Sequence, residues 1–216
     1  MEPGLLSYDP KIIELLLSSK NLFLDGVLLR VTQMGDGNAL ISISTIIVIF
    51  LLYKRLWLSA LICLAGFLGS TSSVGIIKTF IGRERPINNL YSGSDSFSFP
   101  SGHMTNTTVV IGTLGILIAL SVPQKWRAIA ASPAIMIIFL MGLSRVYLGA
   151  HWPSDVIAGL CFGFSILLFM QILIGKFEPD FRQQISPANA ALLFALTVCV
   201  WAVHLLTNSS LPAYNL

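Results

Sequence analysis

Six runs of mostly apolar residues divide the chain from residue 38 onward: 38–53, 57–77, 104–122, 128–143, 156–174 and 188–206. Crossing the hydrocarbon core of a bilayer takes about 20 residues of helix, within a range of about 17 to 25. Each run meets that requirement, some only with help from their flanks. Lipid offers no partner to a free backbone N–H or C=O, so each run is expected to be a helix. Polar or helix-breaking residues close the runs: Lys54-Arg55, Lys78, Pro123, Ser144-Arg145 and Lys176. Charged residues make up 11% of the chain and hydrophobic ones 55%, where a soluble domain carries roughly a quarter charged. The expected fold is therefore all-α, a polytopic membrane protein with six transmembrane helices. With no internal repeat or linker, residues 1–216 read as one domain.

The first 36 residues are mixed. Residues 11–20 suit a short amphipathic helix at the membrane surface. Asp25 and Arg30 interrupt the apolar stretch that follows, which makes it a poor spanning candidate, and Gly35-Asp36-Gly37 reads as a turn. The first residues lack a basic segment followed by an apolar one, so no cleavable signal peptide is expected. The net charge of +3 includes no block of like charges that would suit nucleic acid. Cys63, Cys161 and Cys199 each lie in an apolar run without metal-ligand spacing, and read as packing residues.

Three polar clusters interrupt this apolar pattern: Lys78-Thr-Phe-Ile-Gly-Arg-Glu-Arg85-Pro86, then Pro100-Ser101-Gly102-His103, then Ser144-Arg145 followed by His151-Trp-Pro-Ser-Asp155. Six spans put both termini on one side, and the same parity puts all three clusters there. The opposite side carries Lys54, Arg55, Lys125, Arg127, Lys176 and Arg182. The cluster side carries Lys11, Lys20, Arg30, Lys78, Arg83, Arg85 and Arg145. Setting aside Lys78, Arg85 and Arg145 for chemistry leaves four cations against six. Lys and Arg are in excess on the cytoplasmic side, so the clusters are expected to face away from the cytoplasm.

The clusters hold what is needed to grip a phosphate and attack it. Negative oxygens shield a phosphate ester, and an enzyme must offset the charge that builds up in the transition state. Arg85 and Arg145 can fork onto phosphate oxygens, and Lys78 adds a compact charge. The Ser101-Gly102 turn, leading into the third span, would offer backbone N–H groups at a helix N-terminus, and Gly102 would let the backbone approach closely. His151 is the expected nucleophile, since neutral imidazole can carry a phosphoryl group. Asp155, four residues on, would fix its tautomer, and Pro153 stands where a helix would begin. His103, with no carboxylate near it in sequence, has the remaining task of general acid. Taken singly, each has an ordinary reading: a cation anchoring a helix end, a polar interface histidine, an acidic residue in a first helical turn. Arg83 falls outside the spacing and keeps that ordinary reading. So does His204, which reads as a lone histidine near the end of the last run.

Lys-x6-Arg-Pro, Pro-Ser-Gly-His and Ser-Arg-x5-His-x3-Asp, in this order, resemble the motifs of the type 2 phosphatidic acid phosphatase superfamily of lipid phosphate phosphatases. Lys78 and Arg85-Pro86 match the first motif, Pro100 to His103 the second, and Ser144, Arg145, His151 and Asp155 the third. The resemblance implies a metal-independent phosphatase without cofactor that works through a phosphohistidine. It implies Lys78, Arg85, Ser101, Gly102 and Arg145 as phosphate binders and His151, His103 and Asp155 as catalytic residues. The length and short loops look like bacterial members, which implies a bacterial inner membrane and a periplasmic or extracellular site. Such members act on undecaprenyl diphosphate, phosphatidylglycerol phosphate, phosphatidic acid or lipid A phosphates. A lipid phosphotransferase could use the same site. The apolar runs argue against a haloperoxidase, which resembles a larger soluble protein. A transporter would need polar groups near mid-span, and a metal hydrolase more carboxylates than Asp155.

Overall fold

The computed structural model describes residues 7–18, 21–86 and 96–207. Eight α-helices follow in order: α1 (Asp9–Ser18), α2 (Leu22–Gln33), α3 (Gly37–Tyr53), α4 (Trp57–Ile81), α5 (Gly102–Leu120), α6 (Arg127–Tyr147), α7 (Pro153–Phe177) and α8 (Pro187–Thr207). Among the described residues there is no strand. The apolar runs coincide with α3 to α8. Two differences fall where the clusters lie, since Lys78 and Arg145 stand in the last turns of α4 and α6 rather than beyond them. A terminal Lys or Arg can carry its charge out of lipid along its aliphatic stem without breaking the helix. The break comes later: Gly82, with φ +63, caps α4 by donating its N–H to Lys78 O at 3.0 Å.

By length and composition α4, α5, α6 with its leading 3-10 turn, α7 and α8 can each cross a bilayer. The α2–α3 pair, bent by 44°, adds a sixth only if the two helices cross as one broken span. The 17 residues of α3 cover about 26 Å, slightly less than the roughly 30 Å hydrocarbon core, so α3 does need its flank. The expected surface helix corresponds to α1, which covers most of 11–20; residues 19 and 20 lie outside the described residues. Gly35-Asp36-Gly37 marks the bend between α2 and α3. Cys63 packs inside, but Cys161 and Cys199 are exposed. In a span, an exposed position is expected to meet lipid, which accepts an apolar thiol as readily as a core does.

Within this bundle α5 is the central helix: 67% of its spanning window is buried, against 22–28% for the other single spans. Lipid is as apolar as leucine, so membrane helices associate through close backbone approach rather than a hydrophobic drive. Glycines make that approach possible. A Cβ on Gly163 of α7 would stand 2.7 Å from Thr105 O and 2.8 Å from Thr108 Cβ, and one on Gly159 would stand 2.7 Å from Ser101 O. Two α5 threonines turn their hydroxyls back onto their own helix, Thr108 to Met104 O and Thr113 to Val109 O, both at 2.7 Å. That satisfies them locally and leaves their methyl groups for packing.

Gly163→Ala should therefore push α7 away from α5 and destabilise the fold by roughly 1–3 kcal/mol, the usual cost of overpacking. At Gly75 no described atom lies within 4 Å of an added Cβ, so Gly75→Ala should be neutral or slightly stabilising through helix propensity. Thermal unfolding of the two variants in detergent checks the contrast.

Candidate active site

The site forms where α4 ends, α5 begins, and α6 hands over to α7. Two left-handed glycines make the turns, Gly82 after α4 and Gly149 (φ +66) after α6. Beyond Gly149 the backbone N–H groups of Ala150 and His151 both donate to Arg145 O at 3.1 Å, which fixes the histidine one turn beyond the arginine. Pro153 then opens α7, and the Asp155 carboxylate reaches back to accept the Trp152 N–H at 3.0 Å.

His151 and Asp155 face each other as expected, with Nδ1 at 3.5 Å from Oδ2 and side-chain exposures of 2% and 0%. That distance is longer than a good hydrogen bond, and Nδ1 makes none. A histidine–carboxylate contact of this length in a cleft commonly tightens only once a ligand is bound. The other ring nitrogen, Nε2, lies 3.4 Å from a terminal nitrogen of Arg85. Arg85 is aimed by Ala150 O at 2.7 Å, Ser96 O at 2.8 Å and Ser96 Oγ at 3.0 Å. Lys78 donates to Phe97 O. Arg145, 1% exposed, donates to Thr32 Oγ1 of α2 at 2.7 Å, so the interrupted stretch before residue 36 buttresses a site cation. Burial, together with Arg145, Arg85, Lys78 and His103 nearby, holds the His151 imidazole well below its usual pKa and hence neutral.

Ser101 differs from expectation. Its hydroxyl caps α5 by accepting the Met104 N–H at 3.4 Å, and its own N–H donates to Asp155 O at 3.1 Å. It ties α5 to α7, so the helix-end amides an anion could take are those of Gly102 and His103. A Cβ at Gly102 would meet only Val74 Cγ1, at 3.4 Å, so the packing itself leaves room at that position.

His103 is not without a carboxylate. Its Nε2 lies 3.3 Å from Asp36 Oδ1, and His204 Nε2 lies 3.1 Å from Asp36 Oδ2. His204, expected to stand alone, thus shares Asp36 with His103. Span parity contained the signal, since the parity that puts the C-terminus at the cluster end puts the end of α8 there too. Arg83 is likewise more than an anchor. Its guanidinium donates to Asp155 Oδ1 at 2.6 Å, Ser154 Oγ at 2.7 Å and Asp9 Oδ2 at 2.7 Å. A buried carboxylate calls for a charged partner, which was the available hint, but motif spacing does not identify the partner. From His103 and Gly102 a cavity of about 570 Å³ runs between α3, α4 and α5, past Asn106 and Ser70 to Val48 and Leu64.

The sequence pattern of the PAP2 superfamily matches residues 54–179. Phosphatidylglycerophosphatase B of Bacillus subtilis is 29% identical over 82% of this chain and 86% of its own length. Undecaprenyl-diphosphatase of Sulfolobus acidocaldarius is 26% identical over 81% and 82%. The crystal structure of a transmembrane PAP2 type phosphatidylglycerolphosphate phosphatase from Bacillus subtilis superposes with a TM-score of 0.74 at 26% identity, covering 82% of this chain and 90% of that one.

The depressed His151 pKa has a consequence for stability. The unfolded chain protonates this histidine near pH 6.5, whereas the folded one refuses the proton, so stability falls as pH drops through that value. His151→Gln removes the linkage. Between pH 7 and pH 5 the melting temperature of the native protein should fall further than that of the variant.

Proposed function

The chain belongs to the PAP2 superfamily, and from that premise we propose that it is an integral membrane phosphatase that hydrolyses a lipid phosphate or diphosphate through a phosphohistidine at His151. The observation that carries this is the position of Nε2: 3.4 Å from the Arg85 guanidinium, with Nδ1 turned to Asp155. A phosphate held by Arg85 would sit against the nucleophilic nitrogen.

In the first step the Nε2 lone pair forms a bond to phosphorus while the bond to the lipid-side oxygen breaks. Lys78, Arg85, Arg145 and the amides at the start of α5 stabilise the equatorial oxygens. Asp155 faces Nδ1–H and offsets the charge that develops on the ring. His103 delivers a proton to the departing oxygen. In the second step water attacks phosphorus, His103 takes its proton, and the P–N bond breaks, which restores His151 and releases phosphate.

The cavity from His103 between α3, α4 and α5 supports a lipid substrate, its phosphate at the cluster end and an acyl or prenyl chain among Leu40, Val48, Leu64 and Phe67. The relatives named above for phosphatidylglycerol phosphate and undecaprenyl diphosphate support that class. The charge balance supports a site facing away from the cytoplasm. With Lys78, Arg85 and Arg145 set aside for phosphate, four cations remain at the cluster end (Lys11, Lys20, Arg30 and Arg83) against six at the other.

Purified protein should release phosphate from such lipids in excess EDTA and be inhibited by orthovanadate, a mimic of five-coordinate phosphorus. His151→Ala should form no phosphoenzyme when quenched in alkali. His103→Ala should still form it, and should slow lipid hydrolysis by about 10²–10⁴-fold, the range of general acid–base catalysis. Its first step with p-nitrophenyl phosphate, which has an acidic leaving group, should suffer less. Loss on chelation restored by magnesium, or phosphohistidine in His151→Ala, would overturn the mechanism.

Orientation is tested separately. The loop suited to labelling, 88–96, lies outside the described residues except for Ser96, which is exposed. In a background without native cysteines, Ser96→Cys should react with an impermeant thiol reagent in intact spheroplasts. Reaction only after lysis would place the site on the cytoplasmic face.

A further inference from the structure

We propose that Asp9 of α1 and Arg83 are positioning residues for the His151–Asp155 pair, so that the N-terminal helix is a working part of the active site. This deepens the reading of His151 as nucleophile and rests on it. Arg83 is a bridge: one terminal nitrogen donates to Asp155 Oδ1 at 2.6 Å and to Ser154 Oγ at 2.7 Å, and the other donates to Asp9 Oδ2 at 2.7 Å. Asp9 is fully engaged, since Oδ1 accepts the Ser154 N–H at 3.0 Å and Oδ2 also accepts the Ser154 hydroxyl. The carboxylates are 3% and 0% exposed, and the Arg83 guanidinium lies 5.5 Å from the centre of the Trp152 ring. Arg83 is held in turn through its carbonyl, which accepts the Ser98 N–H at 2.7 Å and the Ser98 hydroxyl at 3.1 Å.

Charge explains why the bridge has two ends. When Nε2 attacks phosphorus the imidazole becomes positive and needs a negative neighbour at Nδ1. Arg83 alone against Asp155 would offset that neighbour completely. Asp9 engages the far side of the guanidinium and keeps one net negative charge behind His151. It also fixes the start of α7: its two oxygens hold Ser154, the residue before Asp155, through backbone and side chain. The planar fork puts a separate terminal nitrogen on each carboxylate, whereas an ammonium would have to reach both from a single nitrogen.

The test is single-turnover phosphohistidine formation from a labelled lipid phosphate, by the native protein and by Asp9→Asn, Arg83→Lys and Leu15→Ala, alongside KM and melting temperature. Leu15 lies on the exposed face of α1 and serves as the control. Asp9→Asn should slow phosphorylation by about tenfold or more, the scale on which partners of a functional histidine act. Its KM should stay within about twofold, while Leu15→Ala matches the native rate. Arg83→Lys should also be slowed, and provides the same test should Asp9→Asn fail to fold. Native rates in Asp9→Asn or Arg83→Lys, a loss confined to KM, or an equal loss in Leu15→Ala would overturn the proposal. A native protein that forms no phosphohistidine would instead overturn the reading of His151, and the proposal with it.

Discussion

Asp155 is a carboxylate with no solvent exposure, set in the first turn of a membrane-spanning helix. An ionised group in that position is tenable only if its charge and lone pairs are met within the protein. The surrounding structure is arranged to meet them. Arg83 takes one oxygen, the Trp152 N–H takes the other, and the backbone carbonyl of the same residue accepts the Ser101 N–H. These contacts draw together the strap after α4, the start of α5, the start of α7 and, through Asp9, helix α1. His151 is left with a fixed negative partner on one side and cations on the other.

The membrane sets where such chemistry can lie. In lipid the backbone must satisfy itself, which confines irregular chain to helix ends. Gly82 and Gly149 supply the reversals there, and the segments they launch carry Arg83, Arg85 and His151 across the end of the bundle. Glycines at the α5–α7 contact let the two helices approach until the start of one bonds the start of the other. Packing of the spans and placement of the site are thus one problem, solved at the same residues.

A second carboxylate, Asp36, sits at the bend between α2 and α3 and is shared by His103 and His204. Trp201 donates to Met34 O at 3.1 Å, and Arg30 to Leu205 O at 3.2 Å, fastening α8 to the same bend. His103 therefore stands between a carboxylate held by the first and last spans and the cavity between α3, α4 and α5. The α2–α3 segment, whose first half reads as a poor span, contacts both His103 through Asp36 and Arg145 through Thr32.

The sequence by itself determined the apolar helices of the bundle and the candidate groups for chemistry. A 20-residue apolar run has one stable form in lipid, and phosphate chemistry draws on few residue types. It therefore announced α3 to α8 nearly residue for residue, along with the clusters from Lys78 to Asp155. Tertiary structure alone decided how those groups are partnered. Asp9 and Arg83 are 74 residues apart, and Asp36 and His204 are 168 apart; no local spacing rule covers such distances. An isolated histidine and an off-pattern arginine look ordinary in one dimension, because what distinguishes them is the charge each meets after folding. The role of Ser101 was hidden for the same reason: whether its N–H faces a ligand or Asp155 O depends on how closely α5 and α7 approach, which their glycines permit and only the packed bundle fixes.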